Sequence, residues 1–128
     1  MAKVLLIEDD LPLVRMYQVA FSRSGHQLIE AIDGEEGQRT AQKEKPDLIL
    51  LDLMLPKKSG FEVLKDLKGS KELSHIPVLC LSVLHQSEDI QKCKDLGADD
   101  YLVKTDVEPQ EVVSKVLARL KLNNGSVS

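Results

Sequence analysis

The sequence predicts an α/β domain built on a parallel five-stranded sheet with helices on both faces. Two observations lead there. Five short apolar runs, at 3–7, 27–31, 47–53, 76–82 and 100–104, are spaced through the 128 residues. Between them the apolar period lengthens from a strand's to a helix's. Strands alternating with helices imply parallel pairing, with each run buried on both sides.

The elements follow in order. "KVLLI" is the first strand. Leu13, Met16, Tyr17, Ala20 and Phe21 share one face of the helix after it, and Gly25 is placed to end that helix. "QLIEA" is the second strand, and Asp33-Gly34 punctuates the loop that follows. Gly37, Thr40 and Ala41 give the second helix a thin face of small residues. Lys45-Pro46 leads into "DLILLDL", the third strand. Phe61, Leu64 and Leu67 serve the third helix. "IPVLCLS" is the fourth strand, with Pro77 at its start, where a missing N–H is tolerated. Ile90 and Cys93 serve a shorter fourth helix, closed by Gly97. "DYLVK" is the fifth strand. Glu108-Pro109 starts a fifth helix striped by Val112, Val113, Val116, Leu117 and Leu120. One domain is expected over 1–122, with a frayed C-terminal tail over 123–128.

Composition narrows the function classes. Charged residues make up 30% and the net charge is -4, which argues against binding to nucleic acid or to anionic membranes. No apolar run reaches the roughly 20 residues a bilayer span needs, and "MAKVLLIEDD" does not read as a signal peptide. A cytoplasmic protein is expected. Cys80 and Cys93 form no CxxC pair, so reduced thiols are expected, with Cys80 in the core. His26, His75 and His85 lack metal-ligand spacing and read as surface or loop residues.

In a parallel sheet the strands share one carboxyl edge, and ligands bind beyond it. The first run ends in Glu8, Asp9 and Asp10, the third at Asp52, the fourth at Ser82 and the fifth at Lys104. Asp10 reads as a helix cap, since Pro12 follows in a first turn. The others converge on one edge. Clustered carboxylates resist ionising together, and Mg²⁺ relieves that with carboxylate and carbonyl ligands. Formally, Glu8, Asp9 and Asp52 bring about -3, and Lys104 with Mg²⁺ about +3. A phosphoryl group suits such a site: metal and lysine neutralise its oxygens, Ser82 donates to another, and an in-line carboxylate becomes an acyl phosphate.

"LLIEDD", "PDLILLDLMLPKKSGFEVL", "IPVLCLSV" and "GADDYLVK", in this order and spacing, resemble the receiver domains of bacterial two-component response regulators over residues 3–121. The resemblance implies a flavodoxin-like, doubly wound sheet of strand order 2-1-3-4-5. It implies that Asp52 is the phosphoacceptor, served by Lys104 and Ser82. Mg²⁺ would be held by Glu8, Asp9, Asp52 and the backbone carbonyl of Met54. Ser82 and Tyr101 occupy the family's switch positions. The phosphoryl donor would be a sensor histidine kinase or phosphotransfer protein, in a phosphorelay. The surface of the fourth helix, fifth strand and fifth helix would then change its protein partners. The chain would be a signalling switch rather than an enzyme, acting as a monomer or weak dimer.

Three departures qualify the resemblance. Thr105 stands where the family usually has proline after the lysine, so a trans bond is expected, with Lys104 aimed somewhat differently. Val83 is bulkier than the small residue usual after the switch position and is expected to narrow access. Met54 and Leu84, which flank the attacking water, offer it no polar group, so self-dephosphorylation is expected to be slow. Val83 and Thr105 also support an alternative, a pseudo-receiver acting as an unphosphorylated protein-interaction module. A phosphatase of the haloacid dehalogenase kind would want a second acid where Met54 stands. A nucleotide or flavin module would want a glycine-rich loop after the first strand.

Overall fold

A computed structural model describes residues 1–123. The tail expected over 123–128 lies outside the described residues, save for Asn123. The chain runs β1 (Lys3–Ile7), α1 (Leu11–Arg23), β2 (Gln27–Ala31), α2 (Gly34–Glu44), β3 (Leu48–Leu51), α3 (Gly60–Gly69), β4 (Val78–Ser82), α4 (Ser87–Asp95), β5 (Asp100–Val103), a 3-10 turn (Lys104–Asp106) and α5 (Pro109–Asn123). All pairings are parallel and the strand order is 2-1-3-4-5. This is the flavodoxin-like sheet that the resemblance implies.

Alternation along the strands splits the core in two. Leu6, Leu50, Leu81 and Leu102 pack with Val14, Tyr17 and Phe21 of α1 and with Val112 and Val116 of α5. Leu5, Ile7, Leu51 and Cys80 face the other way, onto Ala41 of α2, Val63, Leu64 and Leu67 of α3, and Cys93 of α4. Burying one such aliphatic side chain contributes about 1.5–3 kcal/mol.

Local capping sets where the helices begin. Asp10 accepts from the Leu13 N–H at 3.2 Å, Asp33 from Glu36 at 2.8 Å, and Ser59 from Glu62 at 3.3 Å. Asp10 is thus the cap its sequence context indicates. Gly25 ends α1 with a φ of 77°, as expected of a left-handed glycine.

Four sequence expectations need correction. The fourth strand, expected over 76–82, begins at Val78, so Ile76 and Pro77 precede it. Met16 is 51% exposed, and Val14 takes its place in the core. The stripe of Val14, Tyr17 and Phe21 follows a helical period, and Met16 lies about 100° of rotation from Tyr17. The third strand is shorter than 47–53, so Asp52 and Leu53 follow the strand. The fifth ends at Val103, and Lys104 opens the 3-10 turn.

The loop from β3 to α3 is drawn tight. Gly60 donates its N–H to Leu53 O at 2.9 Å. A Cβ on Gly60 would collide with the carbonyl oxygen of Asp52 and the Cα of Leu53. Backbone atoms cannot swing aside as a side chain can. Gly60→Ala is expected to cost about 2–4 kcal/mol of unfolding free energy in urea. Gly69→Ala, with open space at that Cβ, should cost nothing or stabilise by up to about 1 kcal/mol. Equal effects would remove the close approach as the reason for glycine at 60.

Candidate phosphoacceptor and metal site

The sheet register places the acids. Ile7 pairs with Leu51, so the residues that follow, Glu8 and Asp52, stand side by side. Each is held by its own backbone: Glu8 N–H donates to Ala31 O at 2.9 Å and Asp52 N–H to Ile7 O at 3.0 Å. Glu8 is 1% exposed and Asp52 4%, while Asp9 is exposed. One carboxylate oxygen from each of Glu8, Asp9 and Asp52 lies within 4.8 Å of the other two.

Lys104 reaches both buried acids. Its Nζ is 2.5 Å from Glu8 Oε1 and 3.2 Å from Asp52 Oδ2. Asp52 Oδ1 accepts from the Met54 N–H at 3.2 Å, and Glu8 Oε2 from the Asp10 N–H at 3.1 Å. Lys104–Thr105 is trans, like every peptide bond among the described residues. Thr105 has not taken Lys104 off the acids.

The charges do not balance. Burial pushes the Glu8 carboxyl up to about 7 against the pull of Lys104, and Asp52 adds to the rise. Burial also opposes the charged form of Lys104, but Glu8 and Asp52 override it and raise its pKa. The lysine therefore stays an ammonium at neutral pH. Glu8 Oε1 is buried with the Lys104 ammonium as its partner. Three converging carboxylates served by one ammonium suit a hard divalent cation.

Ser82 ends β4, fully buried, and pairs in register with Val103, just before Lys104. Its Oγ accepts from the Leu84 N–H at 3.3 Å. Tyr101, on β5, donates its hydroxyl to Leu84 O at 2.7 Å. Ser82 and Tyr101 thus hold one residue, Leu84, from its two backbone sides. Val83 between them is 46% exposed, and so is Met54, at 56%.

Sequence reasoning missed two features of this edge. Gly60, behind Asp52, sits immediately after the Ser59 cap in "KKSG", a signal that was available. Lys57, at a left-handed φ of 67°, places its Nζ 3.6 Å from Asp33 Oδ2. No residue type in the loop announces that conformation.

Comparison with known proteins agrees with this geometry. Residues 4–117 match the response regulator receiver domain family. The alkaline phosphatase synthesis transcriptional regulatory protein PhoP of Bacillus subtilis is 42% identical over 119 residues, which cover 93% of this chain and 48% of that protein. The chain spans about half the length of such curated relatives. The receiver domain of the Francisella response regulator 1452 superposes with a TM-score of 0.89 at 28% identity, covering 97% of this chain and 100% of the other. The Mn(2+)-bound form of response regulator Rcp1 gives 0.81 at 31% identity, covering 100% and 98%.

The raised Glu8 carboxyl predicts a pH signature. The folded state holds this proton more tightly than the unfolded chain, so stability from Glu8 is present below about pH 4.5 and is lost as pH rises towards 7. Without divalent cation, the unfolding free energy of Glu8→Gln minus that of wild type should grow by up to about 3 kcal/mol across that window. A difference that stays flat with pH would refute the buried, charge-poor reading of Glu8.

Proposed function

The chain belongs to the response regulator receiver domain family, and on that premise we propose that it is a phosphorelay switch whose Asp52 accepts a phosphoryl group. The observation that carries this reading is the setting of Asp52. Its carboxylate is buried at the sheet edge, oriented by the Met54 N–H and the Lys104 ammonium, beside two further acids. The donor is a phosphohistidine on a sensor histidine kinase or phosphotransfer protein.

Glu8, Asp9 and Asp52 would hold Mg²⁺ through carboxylate oxygens, and Met54 through its backbone carbonyl. When bound, Mg²⁺ supplies positive charge for the oxygens of the transferring group. That Rcp1 has been described in a Mn(2+)-bound form supports a divalent ion here. Lys104 exchanges part of its contact with Asp52 for a phosphoryl oxygen. Ser82 must give up the Leu84 N–H to turn its hydroxyl towards the same group. Tyr101, bonded to Leu84 O, is drawn into any movement of that residue. The surface of α4, β5 and α5 thereby changes its protein partners, a two-state element biased by local charge.

The chain assists its own phosphorylation and turns over no free substrate pool, so it is a switch and not an enzyme. Its net charge of -4 favours protein over nucleic acid as its direct partner. No helix among the described residues is long and apolar enough to cross a membrane, which fits the proposed cytoplasmic role. It acts as a monomer or weak dimer.

Intact mass after incubation with Mg²⁺ and a small phosphodonor tests the switch. Wild type should gain one phosphoryl group and Asp52→Ala none. No gain by folded wild type would turn the reading to an unphosphorylated interaction module, with Val83 and Thr105 the first positions to revert.

Met54 and Leu84 present no polar group to an attacking water, so the acyl phosphate should last minutes or longer. Leu84→Glu or Met54→Asn should shorten that lifetime, about tenfold if either side chain orients the water as a general base does. Unchanged decay in both variants would remove water orientation as the limiting factor.

A further inference from the structure

Two features outside the proposed chemistry meet beside it. Asp33 is a buried acid that takes no part in the site. Lys57 is one of two non-glycine residues at positive φ among the described residues. Its Nζ lies 3.6 Å from Asp33 Oδ2. We propose that Lys57 is a positioning residue: paired with Asp33, it clamps the loop between β3 and α3 to the start of α2 and so fixes Met54 against Asp52. Fixing Met54 matters on the reading of Asp52 as the phosphoacceptor, on which the proposal rests.

The loop turns sharply at Lys57. The Lys58 N–H donates to Pro56 O at 2.7 Å. A bond across two residues, with a φ of 67° at the central one, is the γ-turn of positive φ, the rare and strained form. Glycine takes that φ freely, whereas the Cβ of a lysine is crowded there. The ion pair by itself returns little, since the Lys57 side chain is 61% exposed. Lysine at this position is therefore no net aid to stability. Strain that persists at the edge of a site marks a positional role.

The clamp joins the loop to a fixed point. Asp33 Oδ1 caps α2 by accepting from the Glu36 N–H at 2.8 Å, which leaves Oδ2 for Lys57. Beside the pair the two backbones touch, and a Cβ on Gly34 would collide with Lys58 O. On the other side of the turn Lys58 pairs with Asp66 of α3. The loop is thus tied to α2 at Lys57 and to α3 at Lys58. Met54 stands three residues before Lys57, and its N–H donates to Asp52 Oδ1 at 3.2 Å. Its carbonyl is the one backbone ligand proposed for Mg²⁺. A ligand carried on a loop is held in place by contacts from outside that loop, and the Asp33–Lys57 pair is such a contact.

The test follows amide hydrogen exchange by NMR in the isotope-labelled full chain without divalent cation, beside urea unfolding. In Lys57→Gly the Met54 amide should exchange at least about fivefold faster than in wild type, while the urea midpoint stays level or rises. Asp33→Asn keeps a good N-cap but loses the charge, and should speed Met54 exchange likewise. Lys57→Arg keeps the charge and should match wild type. Titration with Mg²⁺ alone, read from amide shifts, should show Lys57→Gly and Asp33→Asn binding about tenfold more weakly. A merely structural role would instead lower the midpoint and carry both readouts with it.

The proposal is overturned if Met54 exchange in Lys57→Gly and Asp33→Asn equals that of wild type, or rises only as far as the midpoint falls. It is also overturned if wild type and Lys57→Gly bind Mg²⁺ alike. If wild type binds no Mg²⁺, the reading of the phosphoacceptor site fails, and Met54 exchange alone decides the clamp.

Discussion

The arrangement on which the rest of the structure turns is one lysine reaching two buried acids across the carboxyl edge of the sheet. Lys104 leaves the chain after β5, while Asp52 and Glu8 follow β3 and β1. Neighbouring strands are about 4.8 Å apart, so the ammonium must cross the end of β4 to make these contacts. A long side chain is needed to do that, and a small one where it crosses. Ser82 ends β4 there. Removing the lysine would leave the buried acids without their counter-charge, at a cost of about 3–5 kcal/mol. The parallel register is what makes the contact available, because it brings all five strand ends to one edge.

Leu84 is where this edge meets the flank of the molecule. Its N–H is engaged by Ser82 and its carbonyl by Tyr101. Breaking either bond loosens the loop that leads to α4. Cys93 is the single buried residue of that helix. By contrast, α1 and α5 bury several large side chains each. Packing thus leaves α4 as the compliant element, beside the one residue that two side chains of the site both hold. A local change at Ser82 has a short physical path to α4 and little packing to resist it.

The parts of this picture that were legible in the sequence share a cause. Strand positions and the acids that end them follow from one-dimensional period, and a parallel sheet turns that order into adjacency. Glu8, Asp52 and Lys104 therefore meet, with Ser82 at the end of the strand between β3 and β5, and Asp10 caps α1 as its context indicates. Met16 failed because a stripe drawn by spacing alone does not fix which side of Tyr17 the core lies on. The strand ends were read too long because apolar character continues through Leu53, where the ladder has stopped. Gly60 had a signal, the glycine after Ser59, but the collision with Asp52 is visible only in three dimensions.

Charge counting supports the proposed role of the site as a switch. Glu8, Asp9 and Asp52 with Lys104 leave a formal excess of about -2. The folded chain answers in part by keeping a proton on Glu8, whose carboxyl is pushed up to about 7. A divalent cation would bring the formal sum near zero and release that proton. Converting Asp52 to an acyl phosphate, as proposed, would then replace about one negative charge by about two. The new excess appears at a buried edge where the Met54 N–H is already committed to Asp52, whereas the Ser82 hydroxyl accepts from the Leu84 N–H and keeps its own proton to donate. Turning that hydroxyl towards the added oxygens carries its Oγ away from the Leu84 N–H. The electrostatic demand at Asp52 is then met at the cost of one bond to a compliant loop, and Leu84 is freed.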